Sequence, residues 1–252
     1  MKRNSVYMLV CALCVMAAMC LFLSSAKPEP KTLDCLRKWQ AGKVVTPEAV
    51  KAYGESKCFR VEHISDATFR RMNGKSFKPN DVIGRKDLRY IKTLHKNAEG
   101  QILIGEMVVN KAIAERVLGI FRELYANGYP IERMVLIDDY DADDETSMRA
   151  NNSSSFCFRA VAGTTKLSAH SRGMAIDINT LYNPYYKKYK NGKIVIQPST
   201  AGQYCDRAKD FPFGGSPRKR ATQDQKPGLL LQKLSMFLNQ YPYKLHFLWP
   251  YC

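Results

Sequence analysis

Leu167-Ser168-Ala169-His170-Ser171-Arg172-Gly173-Met174-Ala175-Ile176-Asp177-Ile178-Asn179 is the stretch from which both fold and chemistry are read. Gly173 can bend the chain between the histidine and the aspartate, and the alternation of Ala175-Ile176-Asp177-Ile178 suits a strand with Ala175 and Asp177 on one face. Imidazole and carboxylate both ligate zinc when their lone pairs converge, and a loop running into a strand can aim the two at one ion. A third ligand is then required. Of the remaining histidines, His63 and His95 lie in or near strand-like segments without a supporting motif and read as surface or satisfied core residues. His246, in the aromatic run Tyr243-Lys244-Leu245-His246-Phe247, completes a His2Asp set with His170 and Asp177. Such a set leaves a fourth position for water, the arrangement of catalytic zinc.

Upstream of this stretch the pattern is that of an α+β domain. Leu88 to His95 and Ile102 to Val109 read as two strands joined by the turn Asn97-Ala98-Glu99-Gly100, a hairpin. Asn110 is placed to cap the next segment, where Ile113, Val117, Phe121 and Leu124 recur at helical spacing until Asn127-Gly128-Tyr129-Pro130 stops it. Met134 to Ile137 reads as a short apolar strand. Leu33 to Tyr53 reads as a helical or mixed lead-in after a Pro and Lys-rich linker, and Cys58 to Phe77 as a strand and turn.

An acidic run, Asp138-Asp139-Tyr140-Asp141-Ala142-Asp143-Asp144-Glu145, raises the question of calcium. Asp139, Asp141 and Asp143 match the first ligand positions of an EF-hand, but Asp144 stands where the loop needs Gly and Ala150 where it needs a bidentate Glu. A solvated loop or helix start, with aspartates as caps, is the expectation.

With 252 residues, 45% hydrophobic and 25% charged, the chain is too apolar to be disordered and long enough for a sizeable core. Its 39 Lys and Arg against 23 Asp and Glu give +16, a surface suited to polyanions. No RNA-recognition, zinc-finger or helix-turn-helix signature accompanies the charge, so no specific nucleic-acid partner is expected. Residues 1–26 read as a secretory signal: Lys2 and Arg3, the apolar run Val6 to Leu23, then Ser24-Ser25-Ala26 for cleavage. An uncleaved anchor is the alternative, with the membrane engaged only through residues 6–23. A secreted or envelope-associated, extracytoplasmic protein follows, in three parts: the leader, a lead-in over 27–57, and a domain over 58–252. Cys35, Cys58, Cys157, Cys205 and Cys252 remain after cleavage, enough for up to two disulfides whose pairing the sequence leaves open, and none lies in a CxxC.

The run SAHSRGMAIDIN resembles the SxHxxGxAxD signature of the D-alanyl-D-alanine carboxypeptidase family of zinc peptidases, which includes vancomycin-resistance-type D,D-carboxypeptidases and L-alanyl-D-glutamate endolysins. Ser168, His170, Gly173, Ala175 and Asp177 match it. The upstream NNSSSFCFR and the continuation Tyr182-Asn183-Pro184-Tyr185 also look like the secreted bacterial branch, so the resemblance spans roughly residues 58–206. It implies an α+β fold shared with the Hedgehog signalling domain, with an antiparallel sheet, flanking helices and a zinc cleft. It also implies Zn2+ held by His170, Asp177 and His246, with Arg159 polarising the substrate carbonyl or holding its carboxylate. The implied substrates are peptidoglycan stem peptides, and anionic cell-wall polymers are further partners suggested by the charge.

Residues 211–252 depart from the family. Relatives carry an acidic general base three positions before the last histidine, where this chain has Tyr243, and an HFE ending where it has His246-Phe247-Leu248. Tyrosine, with a pKa of about 10, is a poor base near neutrality. A catalytically impaired wall-binding protein on the same fold is therefore the alternative to an active peptidase, and Asp206 is a substitute acid to consider.

Overall fold

A computed structural model describes residues 30–161 and 163–206. The leader, Tyr243 and His246 lie outside these residues. Among the described residues no helix is long and apolar enough to cross a membrane.

The predicted hairpin is the centre of the fold. β3 (Leu88–Lys96) and β4 (Ile102–Asn110) pair antiparallel from Leu88 opposite Asn110 to Lys96 opposite Ile102. Gly100 at φ +76° closes the turn, and Asn97 Oδ1 accepts the Gln101 amide at 2.9 Å. Short outer strands, β1 (Val44–Val45) on β4 and β2 (Arg60–Glu62) on β3, complete a four-stranded antiparallel sheet in the order β1-β4-β3-β2. The lead-in joins the same body: in α1 (Pro30–Lys38) and α2 (Pro47–Tyr53), Leu36, Ala49 and Val50 are buried in the common core.

The helix predicted after the hairpin is α4 (Ala114–Ala126), whose Val117, Phe121 and Leu124 are buried with Ile91 and Leu94 of β3. It begins later than expected. Asn110 is the last residue of β4 and caps the turn before the helix, its Oδ1 accepting the Ala112 amide at 3.0 Å. Between Cys58 and Phe77 the sequence also conceals a helix, α3 (Asp66–Met72), whose N-cap Ser65 accepts the Thr68 amide at 3.1 Å.

The outer edge of β4 decides where the rest of the chain goes. β1 covers only its first two residues. Beyond them the edge groups are taken one after another by separate segments: Gly42 and Lys43 on Ile104, Met134 on Glu106, Phe156 on Val108 and Gly173 on Asn110. An exposed row of amides and carbonyls would be costly to bury and prone to pairing with other chains; two bonds from Gly42 and Lys43 and one each from three later segments satisfy it. Met134 to Ile137 is therefore no strand. The Val135 amide donates to Asn152 Oδ1 at 3.0 Å, Asn152 Nδ2 donates back to the Val135 carbonyl at 3.0 Å, and the Leu136 amide points at Glu106 Oε1.

The acidic run behaves as caps and ion pairs. Asp143 accepts the Thr146 amide at 2.8 Å and starts α5 (Asp144–Arg149). Asp139 pairs with Arg71 at 2.9 Å and Asp141 with Lys75 at 2.6 Å, so the three aspartates of the EF-hand pattern face three different partners. A second, two-stranded antiparallel sheet follows the motif, formed by β5 (Tyr185–Lys188) and β6 (Ile194–Gln197). Among the described residues Cys35, Cys58 and Cys157 form no disulfide, and burial pushes Cys58 and Cys157 up to about 11, which keeps both unreactive near neutrality.

Candidate metal and substrate site

Two segments hung on the β4 edge meet to form the site. Ser154 to Cys157 arrives through the Phe156 amide on the Val108 carbonyl, and His170 to Asp177 through the Asn110 amide on the Gly173 carbonyl, 3.1 and 2.9 Å. They join each other by one antiparallel bridge, Ser154 with Asp177, with bonds of 3.1 and 2.9 Å. The strand expected over Ala175 to Ile178 is reduced to that bridge. Met174, Ala175, Ile176 and Ile178 are all buried; the segment passes through the core rather than along a half-wet sheet.

Gly173 sets the bend. Its φ of +63° is left-handed, and a Cβ there would lie 2.7 Å from the Asn110 amide nitrogen. Asn110 Nδ2 also donates to the Arg172 carbonyl at 2.9 Å, so the same residue that ends β4 clamps the loop. His170 precedes the bend in a 3-10 turn, Ala169–Arg172.

The geometry at His170 determines its tautomer. Its Nδ1 lies 2.7 Å from the Ser155 carbonyl oxygen, which can only accept, so Nδ1 carries the proton and donates. Nε2 then turns its lone pair to Asp177 Oδ2, 3.3 Å away. Two acceptors at that separation require a shared proton or a cation between them. A tetrahedral ion with bonds of about 2.0–2.1 Å holds its ligands about 3.3 Å apart, so the pair fits two corners of a zinc site. A carbonyl accepting from the far nitrogen is the usual support of a ligating histidine. Both side chains are slightly exposed, 11% and 12%, which leaves an approach from solvent. Among the described residues no third His, Cys, Asp or Glu joins them.

Arg159 is held against the same loop by its backbone. Its amide donates to Ser171 Oγ at 3.0 Å, the Ser171 hydroxyl approaches its carbonyl at 2.5 Å, and the Ser168 amide donates to that carbonyl at 3.1 Å. The guanidinium spends one edge on Asp144, Nη2 to Oδ2 at 2.5 Å. Its Nε and the Ser168 hydroxyl are buried without a hydrogen-bond partner among the described residues. Two such donors on adjoining backbone are costly unless something accepts from them. The sequence reading missed Ser155, which acts through a backbone carbonyl and so leaves no side-chain signal, and Asp144, which was absorbed into the acidic run.

His63 is exposed. His95 is a core residue: Nδ1 bonds the Ile131 carbonyl at 2.7 Å, Nε2 is buried without a partner among the described residues, and burial pulls its pKa down to about 4. Asp206 ends the 3-10 turn Ser199–Cys205 and is exposed.

Residues 162–216 match a family model described as D-alanyl-D-alanine carboxypeptidase. The matched segment contains Ser168, His170, Gly173 and Asp177 and stops short of the last histidine. No curated protein and no solved structure matches the chain.

Proposed function

We propose that this protein is an exported, zinc-dependent D-alanyl-D-alanine carboxypeptidase-like enzyme acting on peptidoglycan stem peptides. One observation carries the reading: His170 Nε2 and Asp177 Oδ2 face each other at 3.3 Å, with the imidazole fixed from behind by the Ser155 carbonyl, inside the segment that matches the peptidase family. His170 and Asp177 would hold the ion, with His246 as the third ligand brought in from the tail. Bound zinc lowers the pKa of a water molecule to about 7 and polarises a peptide carbonyl.

The chain's own groups do the remainder. Ser155 keeps His170 in the tautomer whose Nε2 can ligate, and Gly173 holds the loop against β4 so that both ligands are preorganised. Arg159 Nε–H and the Ser168 hydroxyl are the donors available for the substrate carbonyl or its terminal carboxylate, where charge develops during hydrolysis. Asp144 binds the neighbouring Nη2 and orients the guanidinium. A proton acceptor is still required for the attacking water; Tyr243 stands in the position where relatives carry an acid, and this supports the second reading, a wall-binding protein with little or no turnover.

The experiment is zinc content of the purified chain beside His170→Ala, Asp177→Ala and His246→Ala, followed by hydrolysis of a stem pentapeptide ending in D-Ala-D-Ala. One zinc per chain, lost in all three variants, with release of D-alanine, is the expected result. Zinc without release selects the wall-binding reading, and absence of zinc from the unaltered chain overturns the metal site.

A further inference from the structure

Past the motif the chain carries no acidic residue between Asp177 and Asp206, but it carries Lys187, Lys188, Lys190 and Lys193. All four fall on the tip of the β5–β6 hairpin. Every residue from 187 to 194 is exposed, and none of the four lysines pairs with an acidic side chain among the described residues. Two large apolar side chains sit among them, Tyr189 at 41% and Ile194 at 49% exposure. Lys188 stands directly opposite Ile194 across the ladder, and the Lys187 ammonium lies 4.6 Å from the centre of the Tyr189 ring.

The tip is built rather than loose. Gly192 at φ +82° turns the chain, and the Tyr189 amide donates to the Lys193 carbonyl at 2.8 Å. At its root, Ile196 packs toward Gly202 in the turn Ser199–Cys205. That turn is fastened to α5, because the Ser199 amide and hydroxyl both donate to Glu145 Oε1, at 2.8 and 2.6 Å. The hairpin is thus a short basic finger on a fixed base.

We propose that this hairpin tip docks onto the surface of an anionic phospholipid bilayer. Alternation puts Ile194 on the Lys188 face of the ribbon and Tyr189 on the Lys187 face, so the finger meets the bilayer end-on, the lysines drawn to the headgroups and the two apolar side chains entering the boundary with the acyl chains from either face. A phosphate polymer would use the lysines alone and leave the exposed isoleucine without a role, so the mixture of charge and apolar surface selects the bilayer. The site lies apart from His170 and Asp177 in sequence and needs no hydrolysis to operate.

The test uses the full chain with phosphatidylcholine vesicles, with and without phosphatidylglycerol, and reads hydrogen–deuterium exchange in peptides covering residues 185–197. Peptides over 185–197 report the finger itself rather than insertion of the apolar run 6–23. Protection of 187–194 on the anionic vesicles alone is the expected result. Lys188→Gln with Lys190→Gln should raise the lipid concentration for half protection roughly 30-fold, about fivefold per lysine. Tyr189→Ser with Ile194→Ser should weaken protection on vesicles and leave that by inorganic polyphosphate unchanged. Each variant must match the unaltered chain in buffer exchange at the hairpin root. Absent protection, equal protection on neutral vesicles, or a serine variant that behaves alike on vesicles overturns the proposal; in the last case the finger reads phosphate and not the bilayer.

Discussion

Replacing Gly173 by alanine tests whether the site loop is locked to the sheet. The left-handed φ of +63° costs an alanine roughly 1–2 kcal/mol. The added Cβ also meets the Asn110 amide nitrogen at 2.7 Å and the Val109 carbonyl carbon at 3.1 Å. These atoms belong to the central strand and cannot swing aside as a flexible side chain would. The loop must lift, which breaks the Asn110 amide bond to the Gly173 carbonyl and strains the Asn110 Nδ2 bond to the Arg172 carbonyl, both 2.9 Å. At about 1 kcal/mol each, the total loss is about 3–4 kcal/mol. Gly100→Ala is the control: its φ is +76° and nothing lies within 4 Å of its Cβ position, so it should cost only the left-handed term, about 1–2 kcal/mol. Urea titration of both variants measures the difference, and amide exchange at Asn110 should accelerate in the first and not in the second. Equal losses in the two variants, with Asn110 still protected, would refute the close-approach argument.

Four further outcomes follow from buried polar groups. His95 stays neutral in the fold down to about pH 4, against about 6.5 when unfolded; the unfolded chain therefore binds the extra proton first, and stability should fall by about 3 kcal/mol as pH drops from 6.5 to 4. Chemical denaturation across that range should show a shallower slope for His95→Leu, and identical slopes would remove the assignment. Glu106 is buried and accepts two bonds from Arg71, at 2.9 and 2.6 Å, and one from the Tyr90 hydroxyl, so Glu106→Ala should cost about 3 kcal/mol, the lower end for a broken buried pair because Arg71 is partly solvated. Tyr90→Phe should cost about 1 kcal/mol in the same assay. Asn152→Ala strands the Val135 amide and carbonyl and should cost about 2–3 kcal/mol by thermal melting; a change below half of one kcal/mol would show that the 134–137 segment is held otherwise.

The central hairpin and its following helix were legible because their signals are local: strand runs bounded by Asn97 and Gly100, and apolar residues at helical spacing from Ile113 to Leu124. His170, Gly173 and Asp177 were legible for a different reason, since few residue types meet both the chemistry and the bend. What the sequence could not display is the row of single bonds along β4. Met134, Phe156 and Gly173 each give one backbone group to that strand, and one bond per segment imposes no period on the residues around it. For this reason Met134 to Ile137 resembled a strand, and Ala175 to Ile178 shrank to a bridge. The partners of the site, the Ser155 carbonyl behind His170 and Asp144 behind Arg159, come from residues far along the chain or from the backbone itself. The sequence alone determined which side chains are candidates for chemistry here, because that depends on residue type and nearest neighbours. Only the tertiary structure decided which tautomer His170 adopts and how far it stands from Asp177, because both depend on contacts closed across the edge of one central strand.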